Sequence, residues 1–348
     1  MHMADALISP TVGGTMWAVS GGLIAFCARK VQQSLRENLT PMMGVLGAFV
    51  FAAQMINFSI PGTGSSGHLG GGLLLAILLG PHAAFLVIAS VLTVQALFFA
   101  DGGLLALGCN IFNLGFYPTF IAYPLVYRRI VGNRYTGTRA LVAALTAALI
   151  ALELGAFSVV VQTRMSGISD LPFSTFIILM LPVHAAIGVV EGLATAAVIA
   201  FVARMRPDAL MTARECPSAL RSVLVAFVIA ALVTGGIASW FASAYPDGLE
   251  WSLAKATGKE ELALPDSAVH RLLAKLQEKV AFFPDYEFKR AAEKKPADET
   301  ATESAPQWPA VSVGTTVSGI VGGLITLAVA ALIGIVLKAW STKCTKTL

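Results

Sequence analysis

LGGGLLLAILLGPHAAFLVIASVLTVQALFF, residues Leu69–Phe99, holds no Asp, Glu, Lys or Arg, and how it is divided sets the topology of the whole chain. As one helix it would reach about 46 Å, well beyond the ~30 Å of a bilayer's hydrocarbon core. Gly80-Pro81 stands in its middle, and proline both lacks an amide hydrogen and clashes with the preceding turn. The stretch therefore reads as two short spans, 69–81 and 82–99, meeting at a tight cytoplasmic turn. Charge placement favours the same division. With residues 1–10 outside, the basic residues Arg29, Lys30, Arg36, Arg128, Arg129, Arg134, Arg139, Arg204, Arg206, Arg214, Arg221, Lys338, Lys343 and Lys346 fall inside, and Arg164 is the exception outside the 245–310 segment. That is the positive-inside pattern. Merging 69–81 with 82–99 would move Arg128 and Arg129 to the wrong face.

The other apolar stretches lie near 11–28, 41–60, 104–127, 138–162, 173–203, 221–244 and 311–338, making about nine spans. Hydrophobic residues are 56% of the 348 and charged ones 13%, too apolar for a soluble domain and typical of an all-α polytopic membrane protein. The net charge of +4 follows the topology and calls for no nucleic acid partner. Four widely separated cysteines indicate neither a disulfide framework nor a zinc site. The chain divides into 1–205, a basic linker 206–220, and a two-span part 221–348 whose external loop 245–310 is the one long polar region. Within that loop 266–280 can form an amphipathic helix, while 293–306 has the composition of a disordered, solvated tether.

The chain begins Met1-His2-Met3, and the external side also holds the glycine-rich loop Gly62-Thr63-Gly64-Ser65-Ser66-Gly67-His68. A free α-amine at Met1, the His2 amide and the His2 Nδ1 can close a five- and a six-membered chelate ring on one ion. Nickel(II) and copper(II) can displace an amide proton and favour a square plane of nitrogens, leaving one corner for His68. A solvated histidine and a cloning remnant at the terminus are the bland readings of the same residues. Ser65 and Ser66 could orient the imidazole by hydrogen bonds. Gln95, Asp101, Asn110 and Asn113 cluster at the external ends of two spans and either line the same pocket or join helices.

Three further histidines are weaker candidates. His82 follows Gly80-Pro81 at the cytoplasmic turn, and His270 is expected on the surface of the external loop. His184 and Glu191 share a helix face, with Glu153 in the span before; ionisable groups in spans face the protein interior, as a locked network or as a proton relay. There is no nucleotide-binding P-loop, no Gly-x-Ser-x-Gly and no His-Glu-x-x-His. An enzyme is not indicated, and uphill transport would need a partner or an ion gradient.

Met1-His2 with Asp5 and Leu7, Ser66-Gly67-His68-Leu69, Leu79-Gly80-Pro81, Val91–Phe98, Asp101-Gly102-Gly103 and Ala106–Asn110 together resemble the metal-binding membrane component of nickel/cobalt energy-coupling-factor transporters, the CbiM/NikM type. The likeness covers about 1–205. The remainder, with Pro246-Asp247-Gly248-Leu249-Glu250, resembles the small two-span companion subunit, fused here. The resemblance implies a seven-helix binding core plus two more spans in a prokaryotic plasma membrane, with the N-terminus outside and the C-terminus in the cytoplasm. It implies Ni2+ or Co2+ as substrate with no cofactor, and Met1, His2 and His68 as ligands, with Asp5 supporting the loop. It also implies two partners: a transmembrane coupling subunit and cytoplasmic ATPase subunits. Nickel is favoured over cobalt. A gradient-driven metal transporter working through Glu153, His184 and Glu191 is the alternative.

Overall fold

The computed structural model describes residues 2–33, 38–132, 136–169, 171–205, 217–259, 262–289 and 308–344. Its helices are α1 Pro10–Gln33, α2 Leu39–Gln54, α3 Gly72–Leu79, α4 Pro81–Val94, α5 Leu107–Ile111, α6 Arg128–Val131, α7 Gly137–Ser166, α8 Phe173–Met205, α9 Pro217–Gly236, α10 Gly248–Thr257, α11 Ala268–Val280 and α12 Val313–Cys344. α4 continues in π form over Gln95–Phe99, and α5 over Phe112–Tyr127, where Pro118 and Pro124 withhold two amide donors. Among the described residues, five helices are long and apolar enough to cross a membrane: Pro10–Gln33, Pro81–Phe99, Gly137–Ser166, Phe173–Met205 and Val313–Trp340. Leu39–Gln54 and Arg221–Gly236 are shorter apolar helices. Exposed Phe26, Val142, Ile178, Leu193, Phe201, Ile229, Leu324 and Leu332 give these helices an apolar outer surface suited to lipid.

α7 and α8 show how the sequence makes the bundle. Thr136 caps α7 by accepting from the Arg139 amide, and Gly167 ends it in the left-handed conformation. Its buried face is mostly alanine (Ala140, Ala143, Ala144, Ala147, Ala148, Ala151), at helical spacing. Gly188 and Gly192 of α8 lie on this face, where an added Cβ would meet the Leu149 and Leu145 backbone. Small residues four apart let two apolar helices approach closely without a hydrophobic drive between them.

Several expectations need correction. The chain does break at Gly80, but the segment before it is an eight-residue helix, α3, only about 12 Å long and too short to cross. The expected span 41–60 stops at Gln54, and its tail enters a hairpin of β1 Phe58–Ile60 and β2 Ser65–Gly67, so the fold is not purely helical. These strands pair antiparallel, Phe58 with Gly67 and Ile60 with Ser65. α9 begins inside the expected linker, at Pro217; residues 206–216 lie outside the described residues, as does 293–306, the segment expected to be a tether. The amphipathic helix is α11. It packs on the N-terminal segment through His270 and on the π-form end of α4 through Gln277.

Candidate metal centre

Residues 2–9 thread into the bundle beside the turn that follows α4. The turn is held first: Trp17 Nε1 of α1 donates to the Leu104 carbonyl at 3.0 Å, and Ser20 Oγ donates to Gly108 at 2.6 Å. The N-terminal segment then attaches to it. Asn110 Oδ1 accepts from the Met3 amide at 2.8 Å while its Nδ2 donates to the Met3 carbonyl at 3.2 Å, so one side chain satisfies both polar groups of a buried residue. The Gly103 amide donates to the same carbonyl at 2.9 Å. Asp5 Oδ1 accepts from the Ala106 amide at 2.9 Å, and burial pushes its carboxyl above the usual carboxylate value. Asn113 and Gln162 exchange two hydrogen bonds at 2.8 and 3.0 Å, and Asn113 Nδ2 also points at the Met3 sulfur.

His2 and His68 come together at this place. Their rings stack, with centroids 4.9 Å apart and planes within 8°. His68 Nδ1 lies 3.1 Å from the Leu69 carbonyl. A carbonyl can only accept, so Nδ1 carries the proton and the lone pair is on Nε2, which is buried and has no partner among the described residues. Burial lowers the ring to about 3, so it is neutral at any physiological pH. His2 Nδ1 lies 3.0 Å from Asp101 Oδ1, and its Nε2 is likewise buried without a partner. Burial opposes the Asp101 charge, but His2 and the Tyr286 hydroxyl, which donates at 2.5 Å, outweigh it and hold the carboxyl well below the usual range. Met1 lies outside the described residues. Among the described residues no three His, Cys, Asp or Glu side chains already form a metal cage.

The His68 loop is fixed from beneath. Glu191 of α8 accepts from the Gly70 and Gly71 amides at 2.5 and 2.9 Å. Gln95 Nε2 donates to Gln54 Oε1 at 2.8 Å, and Gln54 Nε2 donates to the Gly70 carbonyl at 2.8 Å. Gln95 therefore acts on the loop through Gln54. The serines act elsewhere than expected. Ser65 Oγ pairs with Thr63 Oγ1 at 2.7 Å, and Ser66 donates to the Tyr245 and Pro246 carbonyls, so it is the Leu69 carbonyl that orients the imidazole.

Ser66 faces the C-terminal part of the chain. Its amide donates to Pro246 at 2.8 Å, and a parallel bridge joins it to Asp247. Asp247 is the N-cap of α10: its Oδ1 accepts from the Leu249 and Glu250 amides at 2.7 and 2.9 Å, and Glu250 returns a bond from the Asp247 amide at 3.0 Å. This reciprocal box explains the Asp-Gly-Leu-Glu run physically, since each acid satisfies a helix-end donor. A Cβ at Gly248 would press on Val183 and His184, so the helix start must be bare there.

His270, expected on the surface, is 1% exposed. Its Nε2 donates to the Asp5 and Ile8 carbonyls at 3.2 and 3.0 Å, while Nδ1 meets Ser267 Oγ at 2.6 Å. α11 reads as a surface helix by its charges, but its one histidine closes over a segment more than 260 positions away. Gln277 on the same helix donates to Ala96 and Gly102. The surface placement expected for His270 is thus corrected: it is buried against the N-terminal segment. His270→Ala leaves two buried carbonyls without a donor, a cost of about 1–3 kcal/mol. It should weaken metal affinity about tenfold by loosening the N-terminal segment, read by titration of the purified chain; unchanged affinity would make this clamp irrelevant to the site.

Residues 2–209 match the family model described as the cobalt uptake substrate-specific transmembrane region, and 221–339 match the PDGLE domain. A protein of Archaeoglobus fulgidus that carries the name NikMN, for fused nickel transport, is 36% identical over 230 residues, covering 66% of this chain and 74% of that one. The cobalt transport protein CbiM of Geobacter sulfurreducens is 29% identical over 218 residues, 60% of this chain and 61% of its own. The crystal structure of a truncated transition metal transporter superposes with a TM-score of 0.52 at 28% identity, covering 59% of this chain and 99% of that one.

Proposed function

This chain belongs to the CbiM family of transmembrane components for nickel and cobalt uptake, with a PDGLE domain fused at its C-terminal end, and on that premise we propose that it is the substrate-specificity subunit of an ATP-driven energy-coupling-factor importer. The observation that carries the reading is His68: a neutral imidazole, its ring stacked on His2 and its Nε2 buried without a hydrogen-bond partner among the described residues. An unsatisfied buried acceptor costs stability and is retained for a reason. Here the reason is an incoming ion. The ligand set is the Met1 amine, the His2 amide and Nδ1, and His68 Nε2. Asp5, Asn110 and Asn113 hold the N-terminal segment that presents the first three; Ser65, Ser66 and Gln95 hold the loop that presents the last.

In the ion-free state His2 Nδ1 hydrogen-bonds to Asp101, so this proton and that of the amide must leave as the ion enters. The planar nitrogen set favours nickel over cobalt. The site faces outward, with the basic residues of the helix ends on the cytoplasmic side. Energy comes from ATPase subunits joined through a transmembrane coupling subunit. Glu191, a member of the alternative proton relay, is occupied by the Gly70 and Gly71 amides, which favours a clamp over a relay.

The test is nickel uptake by cells carrying this chain with the coupling and ATPase subunits, with and without an inactivated ATPase. Uptake should require both the ATPase and His68; His68→Ala should weaken binding by on the order of tenfold or more. Uptake that survives ATPase inactivation would reject the reading in favour of a gradient-driven transporter. Equimolar nickel and cobalt offered to the purified chain should leave it carrying mostly nickel.

Acid provides a separate check. The amine, with an ordinary value of about 7.7–8.0, the amide and His2 Nδ1 give up protons on binding, whereas His68 at about 3 does not compete. Affinity should drop steeply from pH 8 to 5, and the slope should be the same in His68→Ala. A flat profile would rule out the terminal nitrogens as ligands.

A further inference from the structure

His184 repeats the arrangement of His68. It is fully buried in α8, with Nδ1 2.8 Å from the Met180 carbonyl one turn back. The carbonyl accepts, so Nδ1 holds the proton and the lone pair is on Nε2. That atom is buried and has no hydrogen-bond partner among the described residues. A histidine whose one nitrogen is anchored on a carbonyl while the other is bare has the form of a metal ligand with its outer partner in place.

The two histidines line one space. A cavity of about 10 Å³ is walled by Gly67, His68, His184, Ile187, Asp247 and Gly248 among others. That is room for about one water-sized particle. Gly248 makes the approach possible, since a Cβ there would lie 3.5 Å from His184 Nε2 and 3.1 Å from its Cε1. Leu114, Leu152 and Ile187 add an apolar wall, so beside the Asp247 residue the two imidazoles are the neutral groups that could receive an ion there.

We propose that His184 Nε2 is a second metal ligand that, together with His68 Nε2, forms an inner station to which the cargo ion passes when the N-terminal chelate lets go. The station rests on the proposed outer site, because His68 is common to both. Square-planar ions exchange ligands by adding one before losing another, and His184 is the group placed to add. His68 then keeps its bond throughout while the amine, amide and His2 imidazole are given up. Two imidazoles with water hold an ion weakly, which suits an ion in transit. No proton moves to or from either imidazole in this step, since both Nδ1 protons stay on their carbonyls.

The experiment uses the full chain, purified in detergent and titrated with Ni2+ alone, in four forms: native, His184→Asn, His2→Ala and the double variant. Asparagine keeps an N–H donor for the Met180 carbonyl and removes Nε2, so thermal stability and helix content should match the native chain. His184→Asn should still bind one ion tightly, yet lower nickel uptake at least tenfold in cells that also carry the partner subunits. His2→Ala should lose the tight site but keep a weaker one, with two imidazole ligands by X-ray absorption, and the double variant should lose that too. If the double variant binds as His2→Ala does, if His2→Ala binds nothing, or if His184→Asn transports normally, His184 holds no metal and the station is rejected. Full-affinity binding by His2→Ala would instead reject the outer chelate, and comparison with the double variant would still decide on His184.

Discussion

Adding one residue ahead of Met1 is expected to lower nickel uptake by on the order of 100-fold or more while leaving insertion and helix content intact. The α-amine would become an amide, and His2 would become the third residue. A new terminus could still chelate through its amine, two amides and the imidazole, but those four fill the plane and exclude His68. Packing adds to the effect. The His2 side chain is 6% exposed, Met3 is fully buried with its peptide bonded on both sides by Asn110, and the segment behind it is closed over by His270. A close-packed interior offers no slack for an inserted residue. The measurement compares native, one-residue-extended and C-terminally tagged chains of equal abundance. Uptake by the extended chain at the native level would mean that the amine is not a ligand, and the chelate would have to be given up.

The pairing of His2 with His68 was legible for a chemical reason. Only five histidines exist, and a histidine at position two carries its own amide and a neighbouring amine, so its chelating capacity can be read without knowing the fold. Gly80-Pro81 was legible because proline's effect on a helix is local. What depends on distant partners was not. Hydropathy cannot separate a crossing helix from a buried half-helix such as α3, since both are Leu-rich. His270 stands among charges on α11, and the carbonyls it serves belong to residues 5 and 8. Among the described residues, Asp247 reaches the site only after nine α-helices and Tyr286 only after eleven. One missed signal was available: Asp247 and Glu250 stand three apart just before Trp251 and Leu253, the spacing of a reciprocal helix cap. It marks where the described part of the external loop returns to regular structure beside the His68 loop.

Gly103→Ala carries the second large effect, and it tests the N-terminal segment without touching a proposed ligand. A Cβ on Gly103 would fall inside the Asp5 carboxyl group and against the Asp5 backbone nitrogen. A rotamer change of Asp5 could clear the first overlap but not the second, so the backbone of the segment must move. Its anchors cannot follow together: Asp5 is tied to the Ala106 amide, Met3 to Asn110, and the Asp5 carbonyl to His270. Shifting the segment separates His2 from Asp101 and from the His68 ring, whose position is set independently by Glu191 and Gln54. A planar chelate tolerates such a displacement poorly, because all four nitrogens must share one plane with the ion. Affinity for nickel should fall by on the order of 100-fold. The α7–α8 pair lies apart from this turn, so the helical signal and most of the thermal stability should persist. Calorimetric titration of native and Gly103→Ala chains, with circular dichroism as the control, makes the comparison. If the variant binds nickel as the native chain does, the ion is not held by the segment that Gly103 supports, and the centre must be sought away from His2.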